Sequence, residues 1–304
     1  MHAANKPDFF IVGAPKSATT ALYSYLADHP SICMSSVKEP QFFGSDVLGH
    51  QRASTTVAKY LSNFDHATGK SRIGEASTAY LASRTAPQEI LDFSPAAQVI
   101  IMVRNPVDVV HALHSARVFT GMEHITRLEL AFDSQETRYW QSGPFRGEPV
   151  RRLDYRGATR FSEQIQRYFD SFGKERVHVI LFDDFVNVPS IVYETVLTFL
   201  GLRSDSRRNF GVVNDNKRAR SPEIQKLLRH PPRSISRLKR LFPNLVRELR
   251  ATVERLNVVH EPRAPLEVGF RKRLEMEYAP EVRNLEKLLG RTLDHWLYSS
   301  STQN

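Results

Sequence analysis

Apolar runs of four to six residues recur along the chain, each followed by a turn and then a stretch with helical spacing. This alternation predicts an α/β fold with a central, mostly parallel sheet flanked by helices. The first run is Phe9-Phe10-Ile11-Val12. Two aromatic and two β-branched residues without polar alternation read as a strand buried on both faces. Gly13 and Pro15 stop it, and a helix-forming run from Thr19 through Ala21, Leu22, Tyr23 and Leu26 follows, ending near His29-Pro30. Ser31–Met34 reads as a short second strand, Arg72–Leu81 as a strand running into a loop, Val99–Val103 as the clearest strand and Val177–Phe182 as another. Helices are expected over 56–64, 85–93, 107–118, 161–172 and 189–200, with Pro106 suited to a first turn and Gly201 ending the last. Segment 123–160 reads as an insertion or lid. Beyond it the pattern gives a polar, basic loop over 213–222, a helix from Pro222 to Leu228 and an amphipathic basic stretch over 229–240. A pair of helices over 266–296, punctuated by Pro280 and Gly290, follows. The expected organisation is one P-loop-like three-layer domain over 1–304, with a core at about 8–202 and a closing loop plus C-terminal helices at about 203–298.

Composition narrows the classes. With 304 residues, 41% hydrophobic and 25% charged, the chain can bury a sizeable core. Its formal charge of +9 suits an anionic ligand, a nucleic acid or an acidic surface. Cys33 is the only cysteine, which excludes a disulfide framework and predicts a reducing, cytoplasmic setting. Met1–Lys6 carries no signal-like apolar core, and no apolar run approaches the roughly 18 residues of a membrane span, so no integral span is expected.

The chemistry concentrates at strand ends. Between the first strand and its helix lies Gly13-Ala14-Pro15-Lys16-Ser17-Ala18-Thr19-Thr20. Such a loop presents unpaired amides at the positive end of a helix dipole, a site for an anion, and Lys16 adds a charge. It is not the nucleotide-triphosphatase loop GxxxxGK[ST]: Ala18 stands where the second Gly belongs, and Thr19 where the late Lys belongs. A phosphate-like group without the usual Mg²⁺ fits better, and no metal is expected; an ordinary strand-to-helix turn is the competing reading. Glu39, in Lys38-Glu39-Pro40-Gln41-Phe42-Phe43, is either a general base at a strand's ligand-binding end or a surface charge beside a turn. Glu75 is a second carboxylate at a strand end, with a structural role slightly favoured. Arg104, in Val103-Arg104-Asn105-Pro106, stands where a second anionic group would be held by guanidinium geometry. Lys217, Arg218 and Arg220 form a cluster fit to clamp a phosphate or merely solvated. His111 and His114 read as helix-surface histidines, since no third zinc ligand is placed.

Four of these stretches, in this order, resemble the sulfotransferases that use 3′-phosphoadenosine 5′-phosphosulfate (PAPS), above all bacterial members related to the heparan sulfate and carbohydrate enzymes. Residues 12–20 resemble the 5′-phosphosulfate loop, 38–43 the loop of the catalytic base, 103–106 with its helix the 3′-phosphate motif, and 214–221 the segment that closes over the nucleotide. The resemblance spans Phe9 to Trp296 and implies a sulfuryl transferase acting on a hydroxyl or amine of a glycan, lipid or small molecule, with PAPS as donor and the bisphosphate PAP as product. It implies that Lys16 contacts the bridging oxygen, that Pro15, Ser17, Ala18, Thr19 and Thr20 hold the 5′-phosphate, and that Glu39 takes the acceptor's proton. Arg104 is implied to bind the 3′-phosphate, helped by Asn216, Lys217, Arg218 and Arg220, with Gln41, Glu75 and Tyr80 lining the acceptor side. Three positions depart from the pattern. Ala112 stands where the family has Ser, with Ser115 one turn later as the candidate substitute. Gln41 stands where relatives often have His. Ala76 stands where the heparan sulfate enzymes have Lys. The rival readings are a P-loop small-molecule kinase, a basic nucleic-acid-binding protein using 229–240, and a relative that binds nucleotide without turning over. The oligomeric state is not legible in the pattern.

Overall fold

The computed structural model describes residues 5–48, 55–142, 154–211, 217–221, 224, 227–228, 242–261 and 263–298. The elements that carry the fold are strands β1 (Phe9–Gly13), β2 (Ile32–Met34), β3 (Arg72–Ala76), β4 (Gln98–Val103) and β5 (Val177–Leu181). Their order across the sheet is β2-β3-β1-β4-β5, with every pairing parallel. The helices in chain order are α1 (Thr19–Ala27), α2 (Ser45–Leu48), α3 (Val57–Leu61), α4 (Ala86–Phe93), α5 (Pro106–Thr120), α6 (Leu128–Asp133), α7 (Gln135–Ser142), α8 (Phe161–Phe172), α9 (Phe182–Asn187), α10 (Pro189–Phe199), α11 (Pro243–Asn257) and α12 (Val268–Leu289).

Phe9, Phe10, Ile11 and Val12, like Val99 to Val103, are wholly inaccessible to solvent, as unbroken apolar strands require when both faces are covered. On one face Phe9, Ile11, Ile100 and Met102 pack with Leu22 and Leu26 of α1 and with Tyr193, Val196 and Leu197 of α10. On the other, Phe10 meets Phe43 at 5.8 Å between ring centroids. There Phe42 stacks on Tyr60 at 4.3 Å, and Phe93 of α4 closes the cluster. Helix α8 lies against α4 and β4. Its buried stripe of Phe161, Gln164, Ile165, Tyr168 and Phe172 follows helical periodicity.

The chain divides into two compact units. One comprises Met1–Val109, Arg156–Asn214 and Lys272–Asn304; the other comprises Val110–Tyr155 and Asp215–Arg271. The five-stranded sheet belongs to the first. The second holds α6, α7, α11 and a small antiparallel ribbon of β6 (Lys217–Ala219) and β7 (Val258–His260). No helix among the described residues is long and apolar enough to cross a membrane.

Two sequence expectations change. Residues 217–219, expected within a basic loop, form β6, because β7 supplies a partner about forty residues away that no local pattern announces. The expected pair of C-terminal helices is one helix that runs through Pro280 and ends only at Gly290, where φ is 65°. Proline removes one i→i−4 hydrogen bond. Here Leu274, Tyr278, Val282 and Leu285 continue a single buried stripe on both sides of it, and their packing outweighs that loss. The expected helix over 229–240 and most of that over 222–228 lie outside the described residues.

Candidate active site

Strands β1 and β4 are neighbours, yet the chain leaves β1 toward the β2 edge and leaves β4 toward β5. Such a reversal opens a crevice at the carboxyl ends of the two strands, where open α/β sheets bind ligands. The loop after β1 carries Lys16 to Thr20, and the loop after β4 carries Arg104. The Ala14 amide bonds the Met102 carbonyl at 2.5 Å, which ties the two loop bases together. On the far side of β1, the Glu39 amide bonds the Ala76 carbonyl at 2.9 Å, so the loop after β2 is pinned to the end of β3. Across this edge the order is therefore Glu39, then the Lys16 loop, then Arg104.

Gly13 is dictated by close approach. The segment after β3 bonds back through Leu81 N to Val12 O at 2.8 Å, and a Cβ on Gly13 would lie 2.5 Å from Leu81 Cβ. Beyond it, Lys16 and Ala18 adopt φ of 64° and 65°. Ala18 is the N-cap of α1 and makes no side-chain hydrogen bond to it, so the first-turn amides carry no side-chain cap. Lys16 is exposed, Pro15 and Thr20 are half-buried, and Thr19 is buried. Ser17 is fully buried, and its hydroxyl has no hydrogen-bond partner.

The same backbone signature recurs at the carboxylate loop. Glu39 has φ of 60° and Gln41 φ of 51°. A non-glycine residue in this region costs about 1–2 kcal/mol and persists where surrounding structure enforces it. Among the described residues five non-glycine positions have positive φ, and all but Ser206 are expected site residues. Glu39 Oε1 accepts from Lys38 Nζ and from Thr78 Oγ1, both at 3.1 Å, and Oε2 accepts from Gln41 Nε2 at 3.1 Å. Behind it stands Glu75, 0% exposed, whose Oε2 takes the Tyr60 hydroxyl while Oε1 has no partner. Burial pushes the Glu75 carboxyl up to about 7, against hydroxyls of Tyr60, Ser77 and Tyr80 that pull it down and a further push from Glu39.

On the other flank Arg104 stacks over the Phe182 ring at 4.2 Å and faces Asp108 at 3.6 Å. Its buried Nε has no partner. Lys16, Glu39, Gln41, Glu75 and Arg104 are thus brought to one edge of one sheet. Tyr80 is corrected: it is 0% exposed and its hydroxyl receives the Phe42 and Phe43 amides at 2.7 and 3.2 Å, so it shapes the loop instead of facing an acceptor. Ala112 is buried and Ser115 half-buried on α5, in the part of that helix assigned to the second unit. Asn216 lies outside the described residues. Lys217 and Arg218 are on β6, and Arg220 is exposed with its amide bonded to Asn257 O at 2.7 Å. Sequence reasoning missed Ser77, Thr78, Tyr60 and Phe182, whose hydroxyls and ring act only through tertiary contacts.

The sulfotransferase domain model matches residues 6–221 of this chain. The chain belongs to the sulfotransferase family. As a family, these are PAPS-dependent enzymes that yield PAP. A crystallised sulfotransferase from Alicyclobacillus acidocaldarius superposes with a TM-score of 0.71 at 27% identity, covering 96% of this chain and 98% of that one. The bifunctional heparan sulfate N-deacetylase/N-sulfotransferase 1 of Caenorhabditis elegans is 24% identical over 212 residues, 64% of this chain and 22% of that protein. Mouse carbohydrate sulfotransferase 15 is 29% identical over 143 residues, 34% of this chain and 26% of that protein. The chain thus spans only about a quarter of the length of the curated relatives it matches.

Proposed function

We propose that this sulfotransferase moves the sulfuryl group of PAPS onto a hydroxyl or amine of a carbohydrate acceptor, with Glu39 as general base. The observation that carries the reading is the strained backbone at Lys16, Ala18, Glu39 and Gln41 on both sides of one strand end. The carbohydrate acceptor follows the relatives, whose names specify heparan sulfate and carbohydrate substrates.

The residues fit a doubly phosphorylated adenosine donor. An uncapped helix start, a buried Ser17 hydroxyl with its proton unspent, an exposed lysine and an arginine with an unpartnered Nε are an anion's complement. When bound, the donor supplies the sulfuryl group and a phosphate leaving group. Transfer of this type rests on position and electrostatics more than on covalent participation. Lys16, with the α1 dipole behind it, answers negative charge growing on the bridging oxygen. Residues 17–20 hold the 5′-phosphate and Arg104 the 3′-phosphate, its plane fixed by Phe182. Glu39 accepts the acceptor's proton at a carboxylate whose two oxygens are already oriented by Lys38, Thr78 and Gln41. Gln41 orients that carboxylate but cannot share its proton.

Two assays test this. In thermal-shift titration PAP should raise the melting temperature and ATP–Mg²⁺ should not; the reverse supports the kinase reading. Labelled PAPS with N-desulfated heparan oligosaccharides should give labelled product, with Lys16→Ala and Glu39→Gln each losing about a hundredfold or more in kcat. Near-normal turnover of Glu39→Gln would remove the base assignment.

A further inference from the structure

The loop that carries Glu39 is held by the segment after β3, and its bonds follow one logic. Ser77 Oγ receives the Gln41 amide at 3.2 Å. The Tyr80 hydroxyl receives the amides of Phe42 at 2.7 Å and Phe43 at 3.2 Å. A phenol oxygen that accepts two amide hydrogens has spent its acceptor capacity, so its own proton must find an acceptor elsewhere. Both hydroxyls lie beside Glu75, whose fully buried Oε1 has no hydrogen-bond partner, while Oε2 is taken by Tyr60 of α3. We infer that Glu75 is a positioning residue: by taking the protons of Ser77 and Tyr80 it turns their lone pairs toward residues 41–43 and so holds the loop of Glu39 in its strained conformation.

The inference rests on reading Glu39 as the base, but the clamp itself does not. Two left-handed residues, Glu39 and Gln41, would relax toward ordinary φ if the amides next to them were released. Phe42 and Phe43 anchor the loop's far end in the aromatic cluster with Tyr60 and Phe93, and the Glu39 amide pins its near end to Ala76, so Pro40 and Gln41 are the part left to shift, and with Gln41 the bond that orients the Glu39 carboxylate. The groups that face Glu75 are the Tyr60 hydroxyl from α3, the Ser77 and Tyr80 hydroxyls from the segment after β3, the Glu39 carboxylate from the loop and Tyr168 from α8. An ionised Glu75 accepts from Tyr60, Ser77 and Tyr80, while the Tyr168 hydroxyl donates to the Tyr80 carbonyl. A protonated one brings a proton of its own, which displaces one of them and loosens the clamp. With its carboxyl pushed up to about 7, Glu75 crosses between these forms near neutrality, so the hold on the loop strengthens as pH rises.

Backbone hydrogen exchange reads the clamp directly, and labelled-PAPS turnover on an N-desulfated heparan oligosaccharide reads its consequence. In Glu75→Gln the amides of residues 41–43 should exchange at least tenfold faster while those of β4 stay protected. Turnover should fall ten- to a hundredfold in kcat, with the KM for PAPS and the affinity for PAP within twofold, and the acid limb of the wild-type kcat profile should flatten. Should the variant expose β4 as well, Tyr80→Phe is the second probe: it removes the acceptor of only two amides and should release residues 42 and 43 while leaving 41. Unchanged protection of 41–43 in Glu75→Gln, or of 42 and 43 in Tyr80→Phe, would overturn the inference, as would faster exchange without loss of kcat. The base assignment fails separately, through an active Glu39→Gln, and that result would leave the exchange data standing.

Discussion

Glu75 and Glu123 are both shut away from solvent, at 0% and 3% exposure, yet they answer burial in opposite ways. Glu123 is met by Arg138, whose Nη1 contacts both carboxylate oxygens at 3.0 Å, by the Ile125 amide at 2.9 Å and by the Tyr155 hydroxyl at 3.0 Å. Burial works against its charge, but these bonds together hold its carboxyl below the usual range. Glu75 is met by hydroxyls and feels a neighbouring carboxylate, so burial wins and lifts it to about 7. A buried carboxylate with a guanidinium is a fixed charge that organises its surroundings. One that has only hydroxyls remains close to its titration point, and here that one stands beside the candidate base.

The largest effect is expected at Glu123. Arg138→Ala leaves that carboxylate buried without its cation and should cost about 3–5 kcal/mol in a denaturant titration at pH 7. The sign with pH is fixed by the lowered carboxyl. Its stabilisation is present above the ordinary value of 4.5 and disappears as pH falls through the lowered folded value, so the variant should approach wild type in acid. A variant as stable as wild type at pH 7 would make Glu123 no different from Glu75. At Glu75 the sign reverses. The folded carboxyl holds its proton up to about 7 and the unfolded one only to 4.5, so wild type loses stability as pH rises through that window. Glu75→Gln should gain on wild type by roughly 2–3 kcal/mol between those limits and stay level above them. A constant difference would show Glu75 ionised throughout. Tyr60→Phe removes the donor to Oε2 and should cost about 1–2 kcal/mol, more at pH 8 than at pH 5. The exposed pair of Arg127 with Glu129 at 3.6 Å sharpens the contrast from the other side. Arg127→Ala should change stability by under about 0.5 kcal/mol, because solvent screens what burial amplifies.

The strand of Phe9 to Val12, the strand of Val99 to Val103 and helix α8 were legible because burial on both faces or on one stripe leaves its period in the sequence. Lys16, Glu39 and Arg104 were legible because each follows an apolar run at a strand's carboxyl end, and their family resemblance rests on those positions. The anchoring of the Glu39 loop by Phe42 and Phe43 was also readable, and both side chains are buried. Tyr80 was misread as an acceptor contact, since a tyrosine in a strand-end loop looks the same whether its hydroxyl faces solvent or two amides from a loop almost forty residues earlier. Helix α11 and ribbon strand β7 were not read at all, and β6 was read as a loop, because a three-residue strand is defined by its partner.

The order of apolar runs, turns and helical stretches by itself determined the doubly wound sheet, the crevice at its carboxyl edge and the residue types available there. Those features follow from nearest-neighbour sterics and from the periodicity of burial, which any window of the chain contains. Only the tertiary structure decided that Glu75 has hydroxyls where Glu123 has an arginine, and that Glu39 and Gln41 are held at positive φ. Dielectric and backbone strain are set by what packs against a residue from elsewhere in the chain, and no local pattern encodes that.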